Sequence, residues 1–267
     1  MGRVVFIGAG PGAVDLLTLR GAARLAQAQV VLFDALTDPA LRSFAPAARW
    51  IDVGKRGYGR ATAQPAIDAL LVAMARTHDT VVRLKGGDPG IFGRLEEELG
   101  ALREAGIECE IVPGITAALA AAACTQRPLT RRGQGRCVSL ATAVTRDGTR
   151  REAGDASPAQ APQAPHARGD TEVYYMAGRQ LGRLGRSLQA RGWAADATVA
   201  VVSRAGCDDA LHSDHRLDEL GCAALLHAGR PTVVTIGVGA QPLAPRPKTR
   251  KAMMAASASG SVQTPST

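Results

Sequence analysis

The chain has 267 residues, 46% hydrophobic and 3% aromatic, with a formal net charge of +8. That length suits two modest cores better than one, and the shortage of aromatic side chains argues against a base-stacking platform for nucleic acid. Half of the positive surplus comes from Arg246, Lys248, Arg250 and Lys251 in an acid-free tail, so the rest of the chain has a mild bias that fits a small polyanionic substrate.

The five cysteines (Cys109, Cys124, Cys137, Cys207 and Cys222) are an odd number with no Cys-x-x-Cys spacing. Neither a disulfide framework nor a zinc site is indicated, and a reducing cytoplasm fits. Met1-Gly2-Arg3 runs directly into strand-like Val4–Ile7 without a signal-peptide pattern. The longest apolar stretch, near Ile115–Cys124, is well short of a membrane span. The expectation is a cytoplasmic protein acting on neither membrane nor nucleic acid.

In chain order, Val4–Ile7 reads as a buried strand and Asp15–Ala26 as the helix after it. Val30–Phe33 and Trp50–Val53 are further strands. Ile67, Leu70, Leu71 and Met74 fall at i, i+3, i+4 and i+7, which predicts an amphipathic helix over 63–77. Thr80–Leu84 is a fourth strand, Glu96–Ala105 a helix and Cys109–Val112 a fifth strand. Strands alternating with helices predict a mostly parallel sheet with helices packed on it. A second α/β unit opens near Cys137, with strands at Cys137–Thr142, Glu172–Met176, Thr198–Val202 and Thr232–Ile236 and a helix at Arg179–Arg191. The fold expected is therefore α/β in two domains, 1–132 and 133–241. Residues 146–170, rich in Ala, Pro and Gln, read as a flexible insertion, and 242–267 as a disordered basic, Ser- and Ala-rich tail.

Two glycine loops carry chemistry. Thr80–Leu84 leads into Gly86-Gly87-Asp88-Pro89, where the glycines allow a sharp turn and close approach to a bound molecule. Asp88 then places a carboxylate at the carboxyl end of a strand, where ligands sit in open α/β sheets. The plain alternative is a strand-to-helix turn with an Asx cap. Gly8-x-Gly10-x-x-Ala13 also fits the dinucleotide fingerprint, with Asp34 ending the second strand about twenty residues on. On that motif alone an NAD- or FAD-linked oxidoreductase is favoured. It requires a helix N-terminus for the pyrophosphate, however, and Pro11-Gly12 followed by further loop delays the helix.

The whole run Arg83–Arg94 resembles the signature block of the tetrapyrrole methylase family. The likeness extends from Val4 to about Gly239. It includes Gly8–Gly12 with Asp15–Thr18, Gly54-Lys55-Arg56, Val112–Thr116, Pro128–Thr130 with Arg132, and Tyr175-Met176. The resemblance implies a fold of two α/β domains, distinct from the dinucleotide-binding one, with the methyl donor in the interdomain cleft. It implies S-adenosylmethionine-dependent C-methylation of uroporphyrinogen III at C-2 and C-7, through precorrin-1 to precorrin-2, in siroheme and cobalamin synthesis. The implied donor contacts are Pro11, Gly86, Gly87, Asp88, Ile91, Thr116, Ala117, Met176 and Ala205. Asp34 and Lys55 correspond to the family's proposed proton acceptor and proton donor. A homodimer is implied as well.

Each residue also has a plainer reading. Asp34 could cap the next helix or start the turn over 34–39, and Lys55 could be a surface lysine. Arg131 and Arg132 could meet substrate carboxylates by bidentate hydrogen bonds or lie on a solvated surface. His212 and His215 near Asp208, Asp209 and Asp214 are too weak a pattern for a metal, and methyl transfer from a sulfonium needs none. The sequence departs from the family pattern, which has an aromatic in place of Gly90 and two glycines in place of Leu95 and Glu96. The pattern also has a histidine in place of Arg131 and Thr-Gly-His in place of Thr142-Ala143-Val144. The alternatives are another precorrin C-methyltransferase, the dinucleotide-linked oxidoreductase, and a binding protein that no longer turns over.

Overall fold

The computed structural model describes residues 2–54, 62–143 and 169–243. Lys55, residues 146–168 of the expected insertion and residues 244–267 of the expected tail lie outside the described residues.

The first sheet is built from β1 (Arg3–Gly8), β2 (Val30–Phe33), β3 (Arg49–Asp52), β4 (Thr80–Lys85) and β5 (Glu108–Val112). All pairings are parallel, in the order β3-β2-β4-β1-β5. Both faces are covered, as a parallel sheet requires. Val4, Phe6, Leu32 and Val81 point to one side, against Ile67 and Leu71 of α2 (Gln64–Thr77) and Leu102 of α3 (Leu95–Glu104). Their neighbours Val5, Ile7, Val31 and Val82 point to the other, against Leu41 and Leu25 of α1 (Leu19–Leu25). This alternation is the two-residue period of a strand, and each fully buried side chain of this size contributes about 1.5–3 kcal/mol.

The second sheet has the order β6-β7-β10-β8-β9, with β6 (Val138–Thr142), β7 (Thr171–Tyr175), β8 (Thr198–Ser203), β9 (Leu211–Arg216) and β10 (Thr232–Gly237). Only β6 and β7 run parallel; the other three pairings are antiparallel. α5 (Leu181–Ala190) and a 3-10 segment at Leu217–Ala223 cover one face. α4 (Ala117–Cys124) covers the other, its Ala118, Ala120 and Ala121 lying against Val173, Tyr175, Val202 and Val233.

Several elements differ from expectation. The first helix begins at Leu19 rather than near Asp15, because Thr18 caps it, its Oγ1 accepting from Gly21 N at 3.1 Å. β9 was not anticipated: Leu-His-Ser-Asp-His-Arg lies at a sheet edge, so both its faces stay largely polar. Asp170, assigned to the insertion, instead anchors β6, its carboxylate accepting from Arg136 N at 2.7 Å and Cys137 N at 2.9 Å.

A buried histidine gives the second sheet a pH dependence. His227, at the end of α6 (Ala224–His227), is fully enclosed. Its Nδ1 lies 2.9 Å from Ser203 Oγ and its Nε2 2.8 Å from Ser213 Oγ. Burial, then the charges of His215, Arg230 and His212, hold its pKa below the ordinary histidine value. A pKa depressed by folding gives stability that is present above the unfolded value, about 6.5, and lost as pH falls through the folded one. The melting temperature is therefore expected to fall on acidification below about pH 6.5. A His227→Gln variant should show a shallower acid limb; an equal slope in both proteins assigns the loss to other groups.

Candidate active site

β1 and β4 are the adjacent central strands of the first sheet, so the loops leaving their carboxyl ends meet. Gly10 and Gly87 exchange backbone hydrogen bonds, Gly10 N to Gly87 O at 3.3 Å and Gly87 N to Gly10 O at 2.7 Å. The segment after β5 closes on the same point. A Cβ on Gly114 would lie 2.3 Å from Gly87 O and 2.7 Å from Gly8 Cα, so only glycine fits there. Asp88 fastens the arrangement: its Oδ1 accepts from Gly90 N at 2.8 Å and its Oδ2 from Gly114 N at 2.9 Å. A residue singled out for ligand contact is thus also a strut between two loops.

The second sheet meets these loops from across. Ala13 N donates to Gly206 O at 2.8 Å, and Pro11 Cγ sits against Gly206. Thr116 Oγ1 and Tyr175 Oη are hydrogen-bonded at 2.7 Å. The Phe92 ring meets Tyr175 edge-on, with centroids 5.1 Å apart. Ile91 and Ala117 pack in one cluster with Ala205 and Tyr175. Met176 follows Tyr175 at the end of β7 with φ 57° and is 47% exposed. Phe92, Arg94 and Arg204 share this left-handed conformation. Such strain in non-glycine residues persists where the surroundings enforce it, commonly at ligand sites. Pro11, Gly86, Gly87, Asp88, Ile91, Thr116, Ala117, Met176 and Ala205 therefore come together from several loops of both sheets. Gly86 and Gly87 are open above: a Cβ on Gly87 would meet nothing nearer than 3.9 Å and one on Gly86 nothing nearer than 3.4 Å.

Asp34 stands at the same strand-end edge. Its backbone carbonyl starts the turn, accepting from Thr37 N and Thr37 Oγ1. The capping carboxylate of the next 3-10 segment belongs to Asp38, which accepts from Ala40 N at 2.8 Å. The Asp34 side chain is left for another partner, accepting from Arg83 Nη2 at 2.7 Å while remaining 31% exposed. Arg83 is buried, and its Nε donates to Glu98 Oε1 at 2.9 Å; Lys85 Nζ reaches Glu98 Oε2 at 2.7 Å. Burial draws the Arg83 pKa down, but the charges and hydrogen bonds of Asp34 and Glu98 outweigh it and hold the value above normal. For Lys85 burial, then the Arg83 charge, keep the pKa below normal against the pull of Glu98. Sequence reading missed this network, although Arg83 and Lys85 alternate on one face of an otherwise apolar strand and so call for buried acids.

The remaining candidates lie apart from that edge or outside the described residues, as Lys55 does. The Arg131 guanidinium donates to the backbone carbonyl of Gln241, with Pro242 O at 3.5 Å from Nη1, whereas Arg132 is exposed. The two do not act as a free pair. His212 bonds Asp214, which a bidentate contact from Arg127 also holds. Among the described residues no group of three or more His, Cys, Asp or Glu is placed to hold a metal, and no helix is long and apolar enough to cross a membrane.

Residues 3–221 match the family model of the tetrapyrrole (corrin/porphyrin) methylases. The chain belongs to this family. It is 42% identical to the uroporphyrinogen-III C-methyltransferase of Pseudomonas aeruginosa, over 88% of this chain and 93% of that protein. It is 39% identical to the siroheme synthase of Zymomonas mobilis over 88% of this chain, and there it spans about half the relative's length, 48%. Among solved structures it resembles the uroporphyrin-III C-methyltransferase of Thermus thermophilus complexed with S-adenosylhomocysteine. That likeness has a TM-score of 0.74 and 33% identity, covering 88% of this chain and 97% of that one. A cobalt precorrin-4 methyltransferase fits with a TM-score of 0.73 at 25% identity, covering 90% and 96%.

For a tetrapyrrole methylase the dinucleotide reading of Gly8–Ala13 falls away, and the fold says why. In the dinucleotide fold the strand order is 3-2-1-4-5, whereas here β4 separates β2 from β1. The helix after the loop starts only at Leu19, beyond a 3-10 turn at Val14–Leu16, and Gly10 is committed to Gly87. The family departures at Leu95 and Glu96 fall on the first turn of α3, which Arg94 opens in a left-handed conformation.

Proposed function

We propose that this chain transfers methyl groups from S-adenosylmethionine to C-2 and then C-7 of uroporphyrinogen III, passing through precorrin-1 to precorrin-2. The observation that carries this reading is the meeting of the Gly86–Asp88 loop, Thr116 and Met176 at one edge. The identity to a uroporphyrinogen-III C-methyltransferase supports it. It exceeds the identity to the precorrin-4 enzyme, whose fold matches about equally well.

An electron-rich pyrrole carbon of the macrocycle attacks the sulfonium methyl in line. The carbon–methyl bond forms as the sulfur–methyl bond breaks, and S-adenosylhomocysteine leaves. The chain's main work is to hold carbon, methyl and sulfur collinear. In this reading Gly86 and Gly87 admit the donor against bare backbone, Ile91 and Met176 cover its apolar parts, and Asp34 takes the proton that restores conjugation. Lys55 is the matching proton donor, and Arg132 is the more available of the two arginines for a substrate carboxylate. The protein is read as a metal-free cytoplasmic homodimer of two α/β domains, 1–132 and 133–241.

Incubation with uroporphyrinogen III and donor, followed by mass spectrometry, is expected to show a gain of two methyl groups. S-adenosylhomocysteine at a hundred times its dissociation constant should add about 2.7 kcal/mol, a rise of roughly 5–10 °C in melting temperature. NAD should add none. A shift with NAD and none with S-adenosylhomocysteine sinks the proposal.

A further inference from the structure

The buried acid under the active-site edge, Glu98, is not among the contacts that the family resemblance implies. Asp34 continues the face of β2 that carries Val30 and Leu32, and Arg83 and Lys85 continue the face of β4 that carries Val81. All three therefore lie on the side of the sheet that α3 covers. Glu98, on that helix, is fully buried and occupies both cations, one with each oxygen: Arg83 Nε at 2.9 Å and Lys85 Nζ at 2.7 Å. Gln64 Nε2, at the start of α2, lies 3.4 Å from Glu98 Oε1. Arg83 spends its three nitrogens on three acceptors: Nε on Glu98, Nη1 on Leu84 O at 3.1 Å, and Nη2 on Asp34 Oδ1 at 2.7 Å. A planar guanidinium held at three points cannot swing. Asp34 Oδ2 has no hydrogen bond among the described residues, so the carboxylate is gripped by one oxygen and presents the other.

Two carboxylates and two cations balance in charge, while exposure rises from the enclosed Glu98 to the 31% exposed Asp34. An isolated buried carboxylate is costly, and buried ionic groups are no general source of stability. Their arrangement here aims a partly exposed oxygen from a rigid base. We propose that Glu98 is a positioning residue for methyl transfer, fixing Arg83 so that Asp34 presents its free oxygen to the substrate proton. This rests on Asp34 being the proton acceptor.

Single-turnover methyl transfer, S-adenosylhomocysteine affinity and melting temperature of Glu98→Gln, Asp34→Asn and the double variant test it. Glu98→Gln keeps an acceptor for Arg83 but loosens the grip, and misplacement of a reacting group by about 1 Å costs about a hundredfold. The rate is expected to fall about tenfold to a hundredfold with donor affinity unchanged. In the Asp34→Asn background the same change should cost nothing further, because the residue it positions is gone. An equal additional loss in that background would mean a general structural role and overturn the inference. So would a full rate in folded Glu98→Gln. Glu98→Asp, which keeps the charge but shortens the reach by one methylene, is measured alongside. It should be slowed even where the glutamine variant does not fold, and a wild-type rate in it also overturns the inference. A fully active Asp34→Asn enzyme instead removes the acceptor reading itself, whatever Glu98 does.

Discussion

Asp34→Asn is expected to slow single-turnover methyl transfer by about a hundred- to ten-thousand-fold, the usual cost of losing a general base. The geometry makes this a clean test. The Asp34 side chain caps no helix, that task falling to Asp38 in the following segment, so the variant removes no cap. An asparagine oxygen can still accept from Arg83 Nη2, which lies 2.7 Å from the present carboxylate. Glu98 still neutralises the guanidinium from its other side. The stability cost should therefore stay near that of weakening one hydrogen bond to a charged group, about 1–2 kcal/mol. Donor binding should be unchanged, because among the described residues the Asp34 carboxylate bonds Arg83 and no donor-side residue. Asp34→Ala should be less stable still, leaving Arg83 Nη2 without that acceptor. A rate for Asp34→Asn within a few-fold of wild type would show that the carboxylate serves only to partner Arg83.

Gly114→Ala is expected to be strongly destabilising, because its added methyl group would meet backbone on two sides. The added Cβ would fall 2.3 Å from Gly87 O and 2.7 Å from Gly8 Cα, and backbone atoms cannot step aside as side-chain ends can. Overpacking costs typically about 1–3 kcal/mol, and with three loops forced apart the upper end applies. A loss of about 3 kcal/mol corresponds to a fall of roughly 6–12 °C in melting temperature. The Gly10–Gly87 pairing and the Asp88–Gly114 hydrogen bond should open with it, so S-adenosylhomocysteine affinity falls in the same variant. Gly100→Ala is the control. It lies in α3 with nothing within 4 Å of its added Cβ and should gain about 0.5–1 kcal/mol from reduced backbone freedom. Thermal melts and calorimetric titration of the two variants decide the matter. Equal stabilities would mean that the three-glycine contact is loose in solution.

β1 and β2 were legible because each is a short apolar run with a sharp boundary, and β2 falls where the residues place it. The motif loops were legible too, since adjacent glycines and a following Asp mark a strand end whatever the fold. β9 escaped because an edge strand has no buried face to write into its sequence. α4 escaped because a run of alanines has no periodicity, its packing resting on smallness rather than on a stripe. The order β3-β2-β4-β1-β5 could not be read, as local pattern does not say which strands become neighbours. Glu98 shows the limit most clearly. It is the last of three consecutive glutamates, and such a run normally marks a solvated helix face. The signal lay in its spacing: Leu95, Glu98, Leu99 and Leu102 fall at i, i+3, i+4 and i+7, placing one acid on the core-facing stripe. Only the alternation of Arg83 and Lys85 in β4 explains why an acid belongs there.

The parallel pairing of β6 with β7 limits how the second sheet could be shortened. Val138 pairs with Thr171 and Thr142 with Tyr175, so both strands start at one edge and end at the other. The chain leaving Thr142 must travel back the length of the strand before it can enter Thr171. A tight turn cannot make that journey, and parallel neighbours need a crossover of about a dozen residues or more. Truncating the connection to a hairpin would leave two outcomes: β6 torn from the sheet, or β7 reversed. Reversal would carry Tyr175 and Met176 to the wrong edge, far from Thr116. The minimum reach of this connection is thus a condition on the donor site.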